Sequence, residues 1–82
     1  MSASKQNYYP ENVTASYNKY FALRANKGLG ERDVAELAGI NVSILSRWRS
    51  GEKIPTVKVL YKIALALECQ TTDMIDGLDN AV

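Results

Sequence analysis

The sequence predicts a small, single, all-α domain, and three observations lead there. Apolar residues recur at three- and four-residue steps in separate stretches: Val34, Ala35, Leu37 and Ala38, then Leu45 and Trp48, then Leu60, Ile63, Ala64 and Leu67. Between the stretches stand residues that stop helices, namely Gly28, Gly39, Gly51 and Pro55. Ahead of the later stretches stand residues whose side chains cap helices: Asn41, Thr56, and Thr71 or Thr72. A chain of 82 residues buries only about 60% of its unfolded surface or slightly more, so a deep enzyme pocket is not expected.

Met1 to Tyr9 is polar, lacks an apolar period and is followed by Pro10, which reads as an N-terminal arm over residues 1–11 that is loose in the free protein. The first helix is expected to begin between Pro10 and Thr14 and to run to about Lys27. Val13, Tyr17, Tyr20, Phe21 and Leu23 give it more apolar surface than one stripe requires, so some of its aromatics are expected to be partly exposed. Gly30 caps the next helix without a side chain, and Asp33 suits the positive end of its dipole. On that helix Glu31, Arg32, Asp33 and Glu36 face solvent, and Gly39 ends it in a left-handed turn.

Asn41 then starts a second short helix whose buried side is Leu45 and Trp48. Its outer face is Val42, Ser43, Ser46, Arg47 and Arg49. A loop from Ser50 to Pro55 leads to a helix over Val57 to Leu67, with Lys58 and Lys62 opposite the core stripe. A last short helix is expected to carry Met74, Ile75 and Leu78. Glu68 stands where glycine would suit the preceding helix end, and a left-handed residue there costs about 1 kcal/mol.

Two short helices around a glycine corner, spanning Glu31 to Ser50, with the second presenting a short, polar and basic face, suit insertion into the major groove of DNA. Ala35, Gly39, Leu45 and Trp48 stand at the offsets of the helix-turn-helix motif. With Leu29, Gly51, Pro55, Leu60, Ile63, Ala64, Leu67 and Met74, the chain resembles the DNA-binding domain of phage repressors, Cro proteins and Xre-type regulators over about Tyr17 to Ile75. The resemblance implies a compact five-helix, lambda-repressor-like domain over residues 12–78, with a tail at 79–82. It implies a sequence-specific, double-stranded DNA-binding transcriptional regulator, most simply a phage or Xre-type repressor, that places the helix at about 42–50 in the major groove. The alternative is a protein-interaction or co-regulator module, antitoxin-like, built on the same fold.

Under the resemblance, base reading falls to Asn41, Val42, Ser43, Ser46 and Arg47, with Arg47 first because a guanidinium can bond both O6 and N7 of guanine. Relatives often carry glutamine at the Val42 or Ser43 position, so an adenine contact does not carry over. Lys27, Arg49, the backbone of Gly51, Lys53 and Lys58 are the expected phosphate contacts, which position the domain without reading sequence. Two departures stand out. Glu31 occupies a place where relatives often use glutamine to hold a phosphate, and DNA would repel it. Arg49 occupies a place where many relatives have a glutamate that pairs with the arginine matching Arg24, and two arginines cannot form that bridge.

The charge is unevenly spread. Residues 1–67 hold all ten bases against five acids, a net of +5, whereas the last fifteen residues carry four acids and no base. A basic body with an acidic end fits a protein that presents one face to DNA. The chain has no histidine, no nucleophile and base in a recognisable pairing, and no glycine-rich phosphate loop, which argues against an enzyme, a metal site or another cofactor. Cys69 alone cannot form an internal disulfide, and its slot suits a buried, inert thiol. No stretch reads as a signal peptide or a membrane span, so the expected setting is cytoplasmic, at the nucleoid when on DNA, with no membrane partner and no small-molecule ligand. One domain reads few base pairs, so a homodimer on an operator is expected. Met74, Ile75, Leu78 and Val82 are the candidates for an exposed apolar dimer edge.

Overall fold

The structure, a computed structural model, describes residue 9 and residues 12–77. Among these residues four α-helices follow in order: α1 Tyr17–Asn26, α2 Glu31–Ala38, α3 Val42–Arg49 and α4 Val57–Leu67. A 3-10 turn at Thr71–Met74 stands where a fifth helix was expected. A small antiparallel ribbon joins the two ends: β1, Thr14–Ala15, pairs with β2, Ile75–Asp76, setting Thr14 opposite Asp76 and Ala15 opposite Ile75.

The ribbon corrects the sequence reading at both ends of the domain. The first helix begins only at Tyr17, because Ser16 caps it: its Oγ accepts from the Lys19 amide at 3.2 Å. Upstream, Thr14 and Ala15 run extended against β2, and the Ser16 amide donates to the Met74 carbonyl at 2.8 Å. The last element is capped at Gln70 rather than at Thr71 or Thr72, with Asp73 Oδ2 accepting from the Gln70 amide at 2.9 Å. Its chain leaves in extended geometry at Ile75. Period-based reading failed here because two-residue strands are too short to show alternation, and backbone pairing between distant segments decided their geometry.

Met74 is fully enclosed and Ile75 is buried, so neither forms an exposed apolar edge. The expected dimer edge is corrected for these two residues, which close the monomer core. Leu78 and Val82, like most of the 1–11 arm and the 79–82 tail, lie outside the described residues. Tyr9, within that arm, is half-buried and donates its hydroxyl to the Pro55 carbonyl at 2.7 Å.

The remaining elements form where the sequence places them, and their caps explain why. Asp33 Oδ2 accepts from the Gly30 amide at 2.8 Å, Asn41 Oδ1 from the Ser43 amide at 2.9 Å, and Thr56 Oγ1 from the Val59 amide at 3.3 Å. Each satisfies an amide that the first helical turn leaves without a partner. Gly39 sits at φ 69°, ψ 34°, the left-handed geometry that lets the chain turn from α2 into α3 within three residues. Glu68 adopts nearly the same geometry, φ 57°, ψ 43°, but with a Cβ to accommodate.

One core unites the helices. Tyr20, Val34, Leu45, Leu60, Ile63, Leu67 and Met74 are fully enclosed, and Trp48 is 4% exposed. The Trp48 ring lies 4.9 Å from Tyr20 and meets Tyr17 edge-on at 5.5 Å between centroids. α3 is thus held to α1 through an aromatic cluster as well as to α2 through the glycine corner. As the sequence implied, α1 has aromatic surface to spare: Phe21 is 46% exposed.

Candidate nucleic-acid interface

The buried side of α3 fixes what its other side presents. With Leu45 and Trp48 pinned in the core, Arg47 is exposed, and Val42, Ser43, Ile44 and Ser46 are partly exposed along the adjoining surface. Arg47 makes no ion pair among the described residues, so its five N–H donors are available. Asn41 spends its side-chain oxygen on the cap and keeps its amide donors. Ser46 donates to the Ser43 carbonyl at 3.1 Å, which leaves its oxygen able to accept. The sequence-predicted reading set is therefore brought together at the start and along one side of a single helix, with mixed donor and acceptor capacity.

The loop after α3 is organised around the backbone of Arg47. Its carbonyl accepts from the amides of Glu52 at 2.8 Å and Lys53 at 3.3 Å and from the Ser50 hydroxyl at 3.0 Å. This holds Lys53 close to α3, and Arg47 and Lys53 together flank a shallow cleft of about 140 Å³ floored by Ile44, Ile54, Pro55 and Val59. Lys53 is exposed, as are Gly51 and, in the first turn of α4, Lys58. Ile44 and Ile54 were not singled out from sequence. Ile54 is 48% exposed at the cleft, and no periodicity marks an apolar residue in a loop.

The other expected phosphate contacts are engaged within the molecule. Lys27 Nζ lies 3.0 Å from Glu68 Oε1, and Arg49 Nε donates to Glu31 Oε1 at 3.0 Å. Arg49 is therefore not free, and the Glu31 pair crosses from the first turn of α2 to the last turn of α3. The hydrogen bond from Arg49 and the Glu31 charge raise the affinity of Arg49 for its proton. Arg24 finds no acid among the described residues. Burial disfavours its charge, but its bond from Nη1 to the Tyr20 hydroxyl at 3.3 Å helps reverse that penalty, and its guanidinium lies 4.7 Å above the Phe21 ring. The Arg24 Nε is buried without a partner.

Among the described residues no group of acids, cysteines or histidines could hold a metal ion, and no helix is long and apolar enough to cross a membrane. Cys69 is half-buried, and burial followed by the nearby Asp73 carboxylate pushes its thiol pKa up, which lowers its reactivity.

A family model described as helix-turn-helix matches residues 21–74, which include the C-terminal part of α1, α2, the glycine corner, α3 and α4. The chain belongs to the HTH_3 helix-turn-helix family. No curated protein matches it. Among solved structures, this helix-turn-helix chain is similar to an HTH_3 family transcriptional regulator from Vibrio cholerae, at 33% identity and a TM-score of 0.64 over 70% of this chain. It spans 32% of that regulator's length. It is also similar to the transcriptional regulator VanUg, at 26% identity and a TM-score of 0.64, over 88% of this chain and 95% of that one.

Proposed function

We propose that this helix-turn-helix domain is a sequence-specific, double-stranded DNA-binding transcriptional regulator that inserts α3 into the major groove. The observation that carries the reading is Arg47: exposed on the side of α3 away from Leu45 and Trp48, without an ion partner, and flanked by Asn41, Ser43 and Ser46 with unused hydrogen-bonding capacity. Arg47 reads guanine through O6 and N7, Val42 packs against a thymine methyl, and the polar residues discriminate more weakly. Lys53, Lys58 and the Gly51 backbone take phosphates, since they surround the reading helix without being paired. The likeness to two solved transcriptional regulators supports a regulatory role, and repression of the phage or Xre type is the simplest form of it: occupying an operator requires no further surface.

Binding as a homodimer completes this reading. One α3 of eight residues reads only a few base pairs, and two copies with their reading helices about 34 Å apart would address successive turns of the groove. The rival reading, a protein-interaction module, draws on Tyr61 and Leu65, 56% and 60% exposed on α4. Binding to a mixed-sequence duplex over a salt series decides between them. A log-log slope near −0.9 for each phosphate contacted supports the DNA reading. No binding at about 50 mM salt, where such contacts are strongest, defeats it.

A further inference from the structure

We infer that Glu31 occupies, in the free protein, a DNA phosphate site formed by Arg49 with Arg24 behind it, so that a backbone phosphate and the Glu31 carboxylate compete for Arg49. This rests on the DNA-binding reading above. Three helices bring the groups together: α1 supplies Arg24, the first turn of α2 supplies Glu31, and the last turn of α3 supplies Arg49. Arg49 is the more exposed partner, its side chain 57% accessible against 20% for Glu31, so an anion arriving from solvent meets the guanidinium first. Its Nε is used by Glu31, and the rest of the fork remains for a second acceptor.

The charge balance favours exchange. Glu31 pairs with Arg49 alone, while Arg24 has no acid of its own among the described residues and repels Arg49. Stacking on Phe21 and the bond to Tyr20 hold Arg24 in place, and it has a buried Nε that nothing satisfies. The cluster therefore keeps one uncompensated positive charge next to the reading helix. A phosphate diester, with two free oxygens and one negative charge, matches the Arg49 fork as a carboxylate does. Once it binds, Glu31 is left facing it, and that repulsion weakens DNA binding at every sequence alike. Glu31 thus lowers general affinity while the bases read by Arg47 set the discrimination, which raises the relative weight of sequence.

The test is a double-mutant cycle on Glu31→Gln and Arg49→Ala, measured as affinity for a mixed-sequence duplex between about 50 and 200 mM salt. E31Q is expected to bind about three- to fivefold more tightly than wild type, the scale of an exposed ion pair, with the salt slope steeper by up to about 0.9. In the Arg49→Ala background the same substitution is expected to change affinity much less. An equal gain in both backgrounds would mean that Glu31 acts as a general negative charge, and an absence of gain would mean that it does not compete at all. Either result overturns the inference while leaving DNA binding intact. Failure of every variant and of wild type to bind any duplex overturns both. Arg49→Gln, which keeps the stem of the side chain, replaces Arg49→Ala if the latter does not melt cooperatively.

Discussion

Replacing Trp48 with alanine tests the rotational setting of α3, on which every assignment along its outer face depends. The indole is 4% exposed and packs against Tyr20 at 4.9 Å and Tyr17 at 5.5 Å. Truncating a buried tryptophan costs about 3 to 5 kcal/mol, and the loss of two aromatic contacts places this site toward the upper part of that range. Folded domains of this size are stable by about 4 to 12 kcal/mol in total, so Trp48→Ala removes a large fraction or all of it. A destabilisation of about 3 kcal/mol already lowers the melting temperature by roughly 12 to 24 °C in a domain this small. The assay is urea and thermal unfolding followed by far-ultraviolet circular dichroism, because Trp48 is the sole tryptophan and its removal takes the fluorescence signal with it. Melting within a few degrees of wild type would mean that α3 turns another side to the core and that Arg47 is not where the reading set requires it.

Glu68→Gly relieves a left-handed residue but removes the exposed Lys27 pair, so a net gain of about 0.5 kcal/mol is expected in urea unfolding, and a loss above 1 kcal/mol would show that the ion pair dominates. Gly77→Ala should destabilise by about 2 kcal/mol or more, since φ is +96° and a Cβ would overlap the Asn12 carbonyl oxygen; wild-type stability would remove the β1–β2 ribbon from the fold. Burial raises the Tyr9 pKa to about 12, above its ordinary 10.0, so the neutral phenol is the form the fold prefers. The stability it adds is complete below pH 10 and is lost as pH climbs toward 12, and a Tyr9→Phe variant is expected to melt with a shallower alkaline decline than wild type. Identical alkaline profiles would place Tyr9 in solvent.

The sequence displayed most of the helical frame because its signals were local. Asn41 and Thr56 cap the helices they precede, Asp33 caps its own helix from the first turn, the stripe Leu60, Ile63, Ala64 and Leu67 is the buried side of α4, and Gly39 turns the corner. The left-handed strain at Glu68 was readable for the same reason. What escaped was non-local. Nothing in Thr14 or Ala15 announces a partner at Asp76 and Ile75, and the ribbon that pairs them turned Met74 and Ile75 from a proposed edge into core. Ser16 caps α1, whereas counting the apolar Val13 into that helix placed its start upstream. At the interface, the exposure of Arg47 followed from its spacing to Leu45 and Trp48, whereas the partners of Arg49 and Lys27 depended on how three helices and the α4 end meet in space. The conflict between Arg24 and Arg49 was visible in sequence; its resolution through Glu31 was not.

Selection of bound sites from a random duplex pool, run side by side with wild type and Arg47→Ala, tests whether α3 reads DNA. Wild type is expected to enrich a short motif containing at least one guanine, repeated as two half-sites with centres about 34 Å apart or a multiple of that. Arg47→Ala, folded and still retained on DNA through its phosphate contacts, is expected to lose preference at the guanine by about 1 to 3 kcal/mol. A wild-type pool that stays random, or a variant that enriches the same motif with the same strength, would contradict the assignment of α3 and Arg47 as the reading element.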